Sequence, residues 1–297
     1  MPEATKSLVV GISSNALFDL DAEEEIARTR SADEYRRHQA QRDADTLEPG
    51  RAMPIAQALQ RLGERSGRRC ELVVFSGANA DSSPRIFASM HEQAVHATRA
   101  AFTGGEPVAP YLRAFHVDLY LSAQEEDVRA AIAAGTPAAM VTTRPEHAKQ
   151  AIDQIRIVFD GDAAVFGHED DEDEVRPEGA EKSLAKLMKA IAELQAGDAE
   201  KRAVRTALLT RRASPAQERA LKSMREWNVR LDEAFFVGDL PREQLLEAFR
   251  AHLLFEDGAS HFRVPEEIVK ADLRATKEEA HASSQSPFAR LRLRSHD

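Results

Sequence analysis

Eight short apolar runs, separated by longer amphipathic stretches, constrain this 297-residue chain more than any other feature. The runs are "SLVVGI" (7–12), "ELVVF" (71–75), "VDLYL" (117–121), "AAMVT" (138–142), "IRIVF" (155–159), "TALL" (206–209), "EAFFV" (233–237) and "HLLF" (252–255). A strand with apolar residues on both faces must be covered on both sides. Between the runs lie stretches with helical periodicity, such as "PIAQALQRLGERSG" (54–67) and "AQERALKSMREW" (216–227). Strand and helix signals in alternation predict an α/β fold, with parallel strands and helices on both faces.

The two halves of the chain repeat one another. Sliding 73–124 over 207–258, an offset of 134, leaves 13 of 52 positions identical. They include Arg85/Arg219, Ser89/Ser223, Met90/Met224, Gly104/Gly238, Pro107/Pro241 and Phe115/Phe249. Ser76 and Thr210, each a hydroxyl after a strand, also fall together, and "ISSNALF" (12–18) stands where "FDGDAAVF" (159–166) stands in the second half. The expected organisation is a first half over 1–149, a second over 150–275 and a loosely held polar tail over 276–297.

Charge and cysteine content narrow the classes of function. A net charge of −10 argues against a general nucleic-acid surface, which needs a basic face. A single cysteine, Cys70, leaves no intramolecular disulfide and fits a reducing compartment. The start, "MPEATKSLVV", has no signal-peptide pattern, and no stretch is long and apolar enough to span a membrane. These features predict a cytoplasmic protein without a nucleic-acid polymer or membrane as partner; homo-oligomerisation is left open.

The segment "RIVFDGDAAVFG" (156–167) poses the chemical question. A buried-type strand ends in Asp160 and Asp162, and two carboxylates so close repel unless something holds them. Thr210 follows another strand, Glu256 and Asp257 follow a third, and Arg242 stands where a helix begins. Ligands of open parallel sheets bind beyond the carboxyl ends of the strands. Carboxylates from two strands make an oxygen-rich site of the kind Mg²⁺ prefers, and the cation would offset their repulsion. A nearby hydroxyl and a guanidinium suit phosphate oxygens. The order, D-x-D, hydroxyl, cation, acidic pair, is that of phosphoryl transfer. The acidic run "HEDDEDE" (168–174) reads as a solvated loop.

This order resembles that of the haloacid dehalogenase-like (HAD-like) phosphatases. The chain is more closely similar to the cytosolic 5′-nucleotidase type I family, over about residues 7 to 262. The segments that carry the resemblance are "VVGISSNALFDLD", "EYRRHQ", "TGGEPVAPYLRAFHVDLYLSA", "VFDGDAAVF", "LLTRRAS" and "HLLFEDG". It implies a HAD-like, Rossmann-type fold in two related halves, the second catalytic. It also implies Mg²⁺-dependent hydrolysis of nucleoside 5′-monophosphates through an aspartyl phosphate. Carried over to this chain, Asp160 is the nucleophile and Asp162 the general acid/base. Thr210 and Arg242 hold the phosphate, and Asp160, Asp162, Asp257 and Glu256 form the metal site. Arg212 belongs with the substrate-binding residues. Where the family usually has Lys, two aspartates, Asn and Arg, this chain has Arg242, Glu256-Asp257, Glu106 and Asn15.

The first half has Ser13 and Asn15 where the second has Asp160 and Asp162, so it cannot form an aspartyl phosphate. Its expected role is to help hold the nucleoside, through Ser13, Asn15 and the close backbone approach that Gly104 and Gly105 permit. Two other readings stay open at this level: a phosphatase acting on another small ester, such as a sugar phosphate, and a nucleotide-binding protein with little turnover.

Overall fold

The computed structural model describes residues 8–31, 34–35, 37–38, 41–42, 45–66, 70–141, 151–161, 180–197, 203–211, 216–256, 264–265 and 268–272. The first half runs β1 (Leu8–Ser13), α1 (Ser14–Leu17), α2 (Asp21–Thr29), α3 (Met53–Ser66), β2 (Cys70–Ser76), a 3₁₀ turn (Ala80–Ser82), α4 (Ser83–Glu92), β3 (Arg99–Phe102), α5 (Ala109–Ala114), β4 (Leu119–Ser122), α6 (Glu125–Ala133) and β5 (Ala138–Met140). The second runs β6 (Ile155–Asp160), α7 (Ala180–Gly197), β7 (Val204–Thr210), α8 (Ala216–Glu226), β8 (Glu233–Phe236), α9 (Arg242–Phe249), β9 (Leu253–Glu256) and β10 (Val269–Asp272). All eight expected strands are present. The acidic run 168–174 and the tail 276–297 lie outside the described residues.

The strands form one ten-stranded sheet in the order β3-β2-β1-β4-β5-β10-β9-β6-β7-β8. Numbering the second half from its own first strand makes the order a palindrome, so the two halves are related units joined edge to edge. Within each half the strands are parallel. At the join, β10 pairs with β5 antiparallel, with Lys270 opposite Met140. The strands of the two halves therefore point in opposite directions, and their carboxyl ends lie on opposite edges of the sheet.

The repeat extends to backbone detail. Ala94 and Asn228, His116 and Arg250, and Gly104 and Gly238 are each 134 residues apart, and all six residues have left-handed backbone. For the four that are not glycine this conformation costs roughly 1 kcal/mol each, so matched positions reflect matched turns. In the first half, the Val9 N–H donates to Asp118 Oδ2 at 3.0 Å. In the second, the Arg156 N–H donates to His252 Nδ1 at 3.1 Å. An ion pair joins Arg99 on β3 to Glu71 on β2. Its counterpart joins Arg205 on β7 to Glu233 on β8 with the signs exchanged.

Strand alternation sorts the core into layers. Leu8, Val10 and Ile12 of β1 and Ile155, Ile157 and Phe159 of β6 face one continuous core that spans both halves. α3 and α7 cover it and pack on each other. On α7, Leu184, Leu187, Met188, Ile191 and Leu194 recur at the spacing of one helix face. The other face of the sheet carries two separate cores. One, with Val9, Phe75, Leu112 and Tyr120, belongs to the first half. The other, with Val158, Leu209, Leu246 and Phe249, belongs to the second. Among the described residues no helix is long and apolar enough to cross a membrane.

Candidate active site

The carboxyl edge of the second half gathers four of the residues singled out from the sequence. β9, β6 and β7 lie side by side, and their last residues are Glu256, Asp160 and Thr210. Phe159 and Phe255 are register partners, and their rings stack at 5.2 Å and 16°. Both belong to the shared core, so Asp160 and Glu256, one residue on, turn together to the opposite face. Asp160, Glu256 and Thr210 are fully buried.

Arg242 completes the group. Its Nη1 donates to Asp160 Oδ2 at 2.5 Å, and only a tenth of its side chain is exposed. It is also the first residue of α9, behind Pro241 at the N-cap. A cation there opposes the helix dipole, which favours negative charge at an N-terminus. The buried carboxylate of Asp160 offsets that cost, and the ion pair clamps α9 to the end of β6. Gly161 is forced by space. A Cβ there would lie 2.9 Å from Leu208 Cδ1 and 3.1 Å from Thr210 Cβ. Sequence reading passed over Gly161, although its place between two aspartates just after a strand was the available signal.

The β8–α9 connection was not singled out either. The Val237 N–H donates to the Thr210 carbonyl at 2.9 Å, and the Leu240 N–H to the Val237 carbonyl at 3.0 Å. Arg211, directly after Thr210, reaches toward it, with Nη2 3.9 Å from Asp239 Oδ1. Asp162, Arg212 and Asp257 lie outside the described residues. Among the described residues no group of three or more His, Cys, Asp or Glu side chains assembles to hold a metal. Asp160 and Glu256 are the two candidate ligands that are described.

The structure does not bring Ser13, Asn15, Gly104 and Gly105 to this edge. β1 stands five strand positions from β6, about 24 Å across the sheet. Its carboxyl end also points the opposite way. These residues, expected to help hold the nucleoside, therefore stand at the edge opposite Asp160, set there by the antiparallel join of β5 and β10.

At the edge they do occupy, the residues in the places of Asp160, Asp162 and Thr210 are neutral and bonded to their neighbours. Ser13 Oγ donates to Asn15 Oδ1 at 2.5 Å, and Ser14 Oγ to Ser76 Oγ at 2.9 Å. Tyr120 fills the space beneath. A Cβ on Gly11 would come within 3.2 Å of its ring. Burial holds the Tyr120 phenol well above its ordinary range, and the Asp127 carboxylate adds to the effect. A cavity bordered by Asn15, Asp19, Arg51 and Gln124 opens on this side.

Comparison with known proteins bears on both edges. A family model described as 5′-nucleotidase matches residues 1–278. The human protein "Cytosolic 5′-nucleotidase 1B" is 26% identical over 289 residues, covering 88% of this chain and 47% of the relative. The chain thus spans about half the length of that curated relative. Among solved structures, a "Putative Universal Stress Protein from Pseudomonas aeruginosa UCBPP-PA14" aligns over 95% of this chain and 97% of its own. Its TM-score of 0.42 and 12% identity carry no argument about this chain.

Proposed function

The chain belongs to the 5′-nucleotidase family, and from that premise we propose that it hydrolyses nucleoside 5′-monophosphates to nucleoside and inorganic phosphate, in the cytosol, at the carboxyl edge of its second half. The observation that carries the reading is the buried Asp160–Arg242 pair at 2.5 Å, flanked on the neighbouring strands by Glu256 and Thr210.

Asp160 is the nucleophile. It sits at the end of a rigid central strand, and Arg242 orients its carboxylate. An Asp160 oxygen attacks phosphorus, the bond to the ribose 5′-oxygen breaks, and Asp162 gives that oxygen its proton. Asp162 then takes a proton from water as the water attacks the aspartyl phosphate, which releases phosphate and restores Asp160. Thr210 and Arg242 hold phosphate oxygens by hydrogen bonds and charge. The donor set also fits a divalent cation. Asp160 and Glu256 are two buried carboxylates on adjacent strand ends, the hard oxygen ligands Mg²⁺ prefers. They would hold it with Asp257 and the backbone carbonyl of Asp162. When bound, the cation supplies Lewis-acid stabilisation of charge on the phosphate.

Phosphate release from a panel of nucleoside 5′-monophosphates and sugar phosphates, with Mg²⁺ and with a chelator, tests the reading. The expected result is Mg²⁺-dependent release, faster from nucleotides and abolished in Asp160→Asn. Release from sugar phosphates alone, or undiminished activity with chelator, would contradict it.

A further inference from the structure

The β8–α9 connection, residues 237–241, is anchored to the active-site edge at both ends. Val237 is bonded to the Thr210 carbonyl, and Pro241 leads directly into Arg242. Between these anchors it presents two outward side chains. Leu240 is 63% exposed, the most exposed large hydrophobic residue among those described. Asp239 is fully exposed. At Gly238, with φ 54°, a Cβ would meet nothing within 4 Å, so the loop borders open space.

The first half supplies a control within the same molecule. Its connection, residues 103–107, keeps the end bonds and the first left-handed glycine 134 positions earlier, although Gly105 is left-handed as well, at φ 93°, where Asp239 is not. The Thr103 N–H donates to the Ser76 carbonyl at 2.9 Å, the Glu106 N–H to the Thr103 carbonyl at 3.2 Å, and Gly104 has φ 60°. There the position of Leu240 is held by Glu106, and that of Asp239 by Gly105. The shared end bonds and left-handed glycine therefore require neither an apolar residue nor a carboxylate at the two positions between them. Both occur only at the edge that carries Asp160. A nucleoside offers an apolar base face and ribose hydroxyls, which match a leucine and a carboxylate acceptor.

We propose that Leu240 and Asp239 form the leaving-group subsite, with Leu240 against the base and Asp239 accepting a hydrogen bond from a ribose hydroxyl. The inference rests on the nucleotidase reading and names the residues that make it specific for a nucleoside. The test compares wild type, Leu240→Ala and Asp239→Asn in two measurements. The first is the ratio of kcat/KM for a nucleoside 5′-monophosphate to that for ribose 5-phosphate, and for the ribo- against the deoxyribonucleotide. The second is calorimetric binding of the free nucleoside. Leu240→Ala is expected to lower the nucleotide to ribose 5-phosphate ratio about tenfold, mainly through KM, and to weaken nucleoside binding. Asp239→Asn is expected to narrow the ribo to deoxyribo ratio. Equal losses on nucleotide and ribose 5-phosphate, or nucleoside binding unchanged in Leu240→Ala, would overturn the subsite. Wild-type protein that releases no phosphate from any ester would overturn the proposed activity instead, and weaker nucleoside binding in Leu240→Ala would still support the subsite.

Discussion

Arg242 is the residue on which the site's geometry turns. It is buried, starts a helix at the end where a cation is least welcome, and contacts the carboxylate read as the nucleophile. Those three facts set it apart from a solvated helix residue. Arg and Lys both bring charge to this point, but Arg does so as a planar fork. Arg242→Lys should therefore keep much of the activity, while Arg242→Ala should lower kcat about 10²-fold or more, as for the loss of one transition-state donor. Steady-state kinetics on a nucleoside 5′-monophosphate checks both variants. Full activity in Arg242→Ala would mean that the transition-state cation lies elsewhere. Its place beside Asp160 was legible in the sequence because it depended on order along the chain: strand, helix start, strand. The close packing at Gly161 was not, because it depends on Leu208 and Thr210 of the neighbouring strand.

Among the elements, β9 is preceded by a titrating group that ties its start to β6. Burial pushes the His252 imidazole down to about 4, with the nearby Arg156 charge adding to the effect. Its Nδ1 accepts from the Arg156 N–H, so the folded state keeps that nitrogen unprotonated. The unfolded chain takes up a proton on this group below about pH 6.5. Between that pH and about 4 the unfolded state binds more protons, so stability falls as pH falls, by roughly 3 kcal/mol at most. His252→Asn keeps an acceptor and removes the titration, much as Asp118 serves the equivalent position in the first half. Thermal melts from pH 7 to 4.5 should show a smaller loss of Tm in the variant; parallel losses would contradict the assignment. β3 and β10 were the strands missed in the sequence. "RAAF" and "VKAD" are short and carry charges. Their strand character comes from pairing with β2 and β9 rather than from their own apolar content.

For the whole molecule, β10 decides the arrangement that local patterning did not disclose. The repeat and the eight more apolar strands were readable from composition and spacing, because each half encodes its own parallel unit. How the halves meet was not, since it rests on one antiparallel pairing between short strands. That pairing sends Ser13 and Asn15 to one edge of the sheet and Asp160 to the other, so that two related units present different edges. Lys186 of α7 reaches across at 2.6 Å to the buried Asp118 of the first half, so the two units are tied together while their edges differ. The central claim is that covalent chemistry occurs only at the second edge, on Asp160. The most direct measurement is acid-quenched turnover of a phosphorus-labelled nucleoside 5′-monophosphate, followed by peptide mapping of the labelled protein. The account expects acid-stable, base-labile label on the peptide containing Asp160 and none in Asp160→Asn. Label on any peptide of the first half, or label with intact turnover in Asp160→Asn, would contradict it.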